Sequence, residues 1–155
     1  MTILLLAFFM GVLNGLRSFT PPAVTAWAAH LGWLKLEGTL ALIGSIPSVA
    51  IFTLLAAGEL VADKMPWIPN RTSIMGLLAR IIMGKLTGAC VAAAGGQSIW
   101  LGAVCGAVGG VAGAFGGYYA RTRSVKALGK PDLYVALAED LICVAGALLI
   151  VSRFQ

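Results

Sequence analysis

Apolar residues run along this chain in long blocks, separated by short polar breaks rich in proline or glycine. The pattern predicts five membrane spans. The first covers Thr2 to Leu16, about 22 Å at 1.5 Å per residue, so it needs a snorkelling Arg17 or a locally thinned bilayer. "RSFTPPAV" follows. Here Pro21 and Pro22 break the helix, and Pro22 is placed to start another, since its missing N–H costs nothing in a first turn. The apolar piece Ala23 to Leu34 covers only about 18 Å, which suits a re-entrant or interfacial helix. Trp27, His30 and Trp33 fit the headgroup level.

The second span, Thr39 to Val61, contains Pro47 and is expected to bend there. It runs into the turn-rich "GELVADKMPWIPNRT". The third, from Ser73 to Ala94, carries Arg80 and Lys85; the fourth, Ser98 to Ala120, is the glycine-rich "GAVCGAVGGVAGAFGG". A basic stretch, "RTRSVKALGKPD", leads into the fifth, Leu133 to Ser152, with Pro131 and Asp132 placed to start and cap it. The chain therefore reads as one all-α integral membrane domain over residues 1–155: five transmembrane helices and one short re-entrant or interfacial helix.

Composition agrees. Of the 155 residues 59% are hydrophobic and 11% charged, where a soluble domain carries about a quarter charged. The net charge of +5 is spread along the chain, as topology signals and intramembrane partners rather than as a nucleic-acid surface. Outside the spans, Lys64, Arg71, Arg121, Arg123, Lys126 and Lys130 fall on one side, against Arg17, Lys35 and Arg153 on the other. That excess predicts a cytoplasmic amino terminus and an exported carboxyl terminus, although Arg17 directly after the first span argues the opposite way. The amino-terminal segment has no basic n-region and is expected to be a retained span. Cys90, Cys105 and Cys143 lie in apolar runs and form no C-x-x-C pair, so neither a disulfide framework nor a metal site is expected.

The first and fourth spans both end in Arg (Arg17, Arg121), followed by a proline-containing break and then a span with acids. Three spans precede the fourth, so the two units would be oppositely oriented, as in the inverted repeats of secondary transporters. Ordinary helix punctuation explains the same pattern.

The charges inside the spans carry the chemistry. Arg80 and Lys85 together cost about 5–7 kcal/mol at a span centre, and the large aliphatics of that span return only about 2–4. The third span thus needs acidic partners or a wet cavity. Gly76, Arg80, Gly84 and Gly88 recur every four residues, which turns Arg80 into the bundle; Lys85 lies about 140° around. Glu139 and Asp140 sit in the first half of the fifth span, where the helix dipole favours anions, and Glu59 and Asp63 share a face at the end of the second. Arg80–Glu139 or Arg80–Glu59 is the expected pairing, either as structural glue or as part of a transport cycle. Arg17, Ser18 and Thr20 form a second candidate, since the amides of a helix starting near Pro22 suit an anion; the plain alternative is a capped helix with Arg17 at headgroup phosphates.

Two four-residue series, Gly102-Gly106-Gly110 and Gly109-Gly113-Gly117, predict close helix packing within the chain or across a homodimer. They do not match a dinucleotide fingerprint. One His, no G-x-S-x-G, no H-E-x-x-H and no Cys/His cluster argue against an enzyme, a carboxylate-based intramembrane hydrolase or lipid-modifying enzyme being the alternative, and no cofactor is expected.

At "NGLRSFTPPAV", "GELVADKMPWIPNRT" and "GKPDLYVALAEDL" the chain resembles an uncharacterised family of small bacterial inner-membrane proteins, a domain-of-unknown-function family. The resemblance implies a multi-pass protein of the bacterial inner membrane and carries over no activity or functional residue. The residues themselves suggest a small transporter or channel for a polar or ionic solute, with a non-transporting scaffold or complex subunit as the alternative.

Overall fold

The computed structural model describes residues 2–62, 74–128 and 132–155, and among them every regular element is helical. The helices are α1 (Thr2–Leu16), α2 (Thr20–His30), α3 (Ile46–Ala62), α4 (Ile74–Ala94), α5 (Ile99–Leu128) and α6 (Asp132–Val151). A 3₁₀ helix, Gly38–Gly44, precedes α3, and a short one, Ser152–Phe154, follows α6. Among the described residues α4, α5 and α6 are long and apolar enough to cross a membrane. The 3₁₀ helix and α3 form a fourth candidate, bent by 59°, and α1 is a shorter apolar helix. The chain is a multi-helix membrane protein.

Glycine sets the centre of the bundle. A Cβ at Gly106 would run into the carbonyl of Gly84, and one at Gly88 into Gly102. On the other side of α5, a Cβ at Gly109 would meet Phe8 and one at Gly113 would meet Val12. So Gly102, Gly106 and Gly110 receive α4, while Gly109 and Gly113 receive α1, with backbones in direct contact as small residues permit. Gly117 is also buried. Both series are used within the chain.

These contacts fix helix directions. Gly11 meets Gly106 and Gly15 meets Gly113, so α1 and α5 run parallel. The inverted pairing of the first and fourth spans requires the reverse, and the contacts do not provide it. Leu13 packs on Gly146 and accepts a bond from Cys143 Sγ (3.7 Å), while Arg17 reaches Asp140, so α1 and α6 are antiparallel. Thr2 and Val151 therefore lie at one end of the bundle, not at opposite ends as five equal crossings would place them. The difference comes from α2.

Pro21 and Pro22 lie inside the first turn of α2, where neither needs a hydrogen bond, so the helix opens around Pro22 as expected, with Thr20 its first residue. It runs back beside α1. His30 Nδ1 meets Gly44 O at 2.9 Å and Trp27 Nε1 donates to Thr53 at 3.1 Å, so α3 returns antiparallel to α2. Leu34 is buried with Ala7, Met10, Ala147 and Val151, at the end where α1 begins. The reversal after α2 uses Gly32 at φ +78, a backbone region glycine occupies without strain.

The break in the second span lies at Ser45 and not at Pro47. Ser45 is extended (φ −68, ψ 150), and its Oγ accepts from Ser48 N at 3.4 Å, starting α3 afresh. Pro47 occupies the first turn, where it does no harm.

Candidate functional site

The last helical bond of α1 runs from Arg17 N to Leu13 O, and the first described bond of α2 from Ala23 N to Phe19 O. The amides of Ser18 and Phe19 fall in the gap between the two ladders. A carboxylate fills that need: Glu59, near the end of α3, accepts from Ser18 N at 2.6 Å and from Phe19 N at 2.9 Å. The sequence suggests that Arg17, Ser18 and Thr20 frame an anion site, and the structure sets the protein's own anion on the amides there. Thr20 is buried in the first turn of α2.

Arg17 does not snorkel. Its side chain is 2% exposed and pairs with Asp140, while Nη1 reaches Glu59 O at 3.5 Å. Packing makes this possible, because α1 ends against the first half of α6, where the helix dipole favours carboxylates. Next to Asp140, Glu139 takes Arg121 of α5 at 3.5 Å and is itself buried.

Arg80 is 6% exposed and turned into the bundle. Its Nε donates to Gly15 O at 3.0 Å and its Nη1 to Gly76 O at 2.9 Å, so it binds the carbonyl end of α1, where a cation is favoured. Among its described contacts these carbonyls stand where the sequence suggests Glu139 or Glu59. Lys85 is exposed on the outer side of α4. Asp63 lies outside the described residues.

The site is thus a group of three arginines (Arg17, Arg80, Arg121) and three carboxylates (Glu59, Glu139, Asp140) around the break between α1 and α2. It lies where α1, α3 and α5 end and α4 and α6 begin. Among the described residues no three His, Cys, Asp or Glu side chains are placed so that they could share a metal ion.

Three partners escape the sequence reading. Arg121 reads there as a topology signal, not as a partner of Glu139. Asn14 and Thr87 are fully buried and joined, Nδ2 to Oγ1, at 2.7 Å between α1 and α4. Each is a polar side chain in an otherwise apolar block, which is the signal that would have found them.

A family model described as a domain of unknown function (DUF4126) matches residues 4–153. No curated protein and no solved structure matches the chain.

Proposed function

The chain belongs to this family of unknown function, and we propose that it is a small transporter or channel for a polar or ionic solute in a bacterial inner membrane. One observation carries the reading: six charges of both signs gather inside the protein at a helix break. Buried ion pairs contribute little to stability compared with apolar packing, whereas charges within membrane bundles mark ion and proton routes. Interrupted helices with exposed backbone donors line such routes in transporters.

Within this reading Arg17, rather than Arg80, is the central cation. Asp140 is its counter-charge, Glu59 an internal anion on the adjacent amides, and Arg121–Glu139 the next pair outward. Arg80 steadies the end of α1.

Exposed aromatics frame the membrane. Trp100 and Tyr119 on α5 are 81% and 60% exposed. They stand nineteen positions apart, about 28 Å of helix, close to a hydrocarbon core of about 30 Å. With both at interfaces, the charge cluster lies just inside one face. Arg17, Arg121 and Arg123 share that end, against Lys35 and Arg153 at the other. The basic end therefore faces the cytoplasm and the amino terminus faces out, reversing the orientation expected from the sequence.

A scaffold is the rival reading, favoured by the way Arg80 ties the end of α1 to α4 through main-chain carbonyls. Flux into proteoliposomes separates the two, using an internal pH dye and a panel of small organic and inorganic ions. Transport requires wild-type flux above that of protein-free liposomes, at least tenfold lower in Asp140→Asn with unchanged circular dichroism. Wild-type flux no higher than that of empty liposomes would leave the scaffold.

A further inference from the structure

We infer that α3 is a hinged gate and that Glu59 is its latch; the inference draws on the transport reading only for the purpose of the motion. The two ends of α3 differ in kind. At its start the chain turns by 59° through Ser45, an extended residue between two helices. A turn of this sort concentrates rotation in a few dihedrals and leaves the helix intact. Ser45 and Ser48 rebuild the first turn through their hydroxyls (3.0 Å), so α3 moves as one body.

Along its length α3 packs on α2 and on the preceding 3₁₀ helix. Val49 is its buried anchor, and Ile51, Leu54, Leu55 and Val61 face outward. A Cβ at Gly58 would meet nothing within 4 Å. The contrast is with α1, α4 and α5, whose backbones interlock through glycines and cannot slide apart without losing that contact.

At its far end the described polar contacts of α3 with the bundle all run through Glu59. Its carboxylate holds the Ser18 and Phe19 amides, and its carbonyl receives Arg17 Nη1. Bonds from amides to an ionised carboxylate are stronger than neutral ones, and they last while the carboxylate stays charged and in place. Arg17 from α1, Arg80 from α4, Arg121 from α5, and Glu139, Asp140 and Cys143 from α6 surround the same junction, so their charges set the field in which the latch holds. Swinging α3 about Ser45 uncovers Arg17 and two backbone donors, and thereby opens the cluster.

Spin labels at Val61→Cys on α3 and Tyr119→Cys on α5, with Cys90, Cys105 and Cys143 replaced by alanine, test the latch by distance measurement. Both label positions are exposed. The parent is expected to give one main distance, and Glu59→Gln a second, longer population. Glu59→Asp, one methylene shorter but still charged, should show a smaller second population, and it decides the matter if the Gln variant does not fold. Asp140→Asn perturbs the same cluster but leaves the Glu59 bonds, so it should keep the parent distance. Unchanged distances in both Glu59 variants, or an equal shift in Asp140→Asn, would overturn the latch. A latch-dependent shift in a protein without measurable flux would support the hinge while removing the transport reading.

Discussion

Arg17 and Asp140 pair inside the protein, joining the end of α1 to the first half of α6, with side-chain exposures of 2% and 17%. Removing one charge from such a pair leaves the other uncompensated. Asp140→Asn is expected to cost about 3 kcal/mol, toward the lower end for a buried pair because Asp140 keeps some access to water. The double variant Arg17→Met/Asp140→Leu should recover most of that loss. Unfolding titrations in mixed detergent check both, and a double variant no more stable than the single one would show that the pair contributes more than its own charges.

Backbone contact between α4 and α5 leaves no room for a methyl group. Gly106→Ala drives a Cβ into the Gly84 carbonyl and is expected to destabilise by about 1–3 kcal/mol. Gly116, where a Cβ would meet nothing within 4 Å, is the control, and alanine there should leave the melting temperature unchanged. Equal melting temperatures for the two variants would contradict the packing.

Asn14 and Thr87 form a different kind of contact. Thr87 also bonds Met83 O at 3.1 Å, so removing Asn14 leaves it a partner, while Asn14 Oδ1 is buried without one. Asn14→Leu, similar in volume, is therefore expected to change stability by less than about 1 kcal/mol, as for membrane hydrogen bonds in general. A loss above 2 kcal/mol in the same titration would assign the Asn14 carbonyl a role that its surroundings do not reveal.

Antiparallel packing of α1 on α6 places Thr2 and Val151 at one end of the bundle. Epitope tags on the two ends are expected to label together, and from outside intact spheroplasts, whose outer membrane has been removed. Labelling on opposite faces would contradict the helix directions; labelling of both only after permeabilisation would reverse the orientation alone.

The helices were largely legible from the sequence, because long apolar blocks and their proline and glycine breaks act locally. Thr2–Leu16 stands as expected, and α4 begins within one residue of its expected start. Local signals misled where two readings of a proline compete. Pro22 stands in the first turn of the next helix, as its sequence position suggests, with Pro21 beside it, whereas Pro47 reads as a bend that Ser45 makes instead. Charge partners were not legible. Which acid meets Arg17 depends on which helices end together, and the short return through α2 sets that. Counting α2 as a re-entrant or interfacial piece puts Arg17 and Arg121 at opposite ends of the chain's crossings, whereas their partners Asp140 and Glu139 are neighbours on α6.

The parallel seating of α1 on α5 also bears on how the chain is made. In synthesis α1 emerges well before α5, as a fifteen-residue helix too short to span the hydrocarbon core. Its main partner does not begin until Ile99, so the two surfaces meet late in synthesis. The neighbouring α4 and α5 can close on each other as soon as both are inserted, leaving a vacant glycine-lined groove. A helix made well before its partner thus waits for it, and docking the two brings Arg17 toward Asp140 of α6. Assembly of the bundle and completion of its charged centre are the same event.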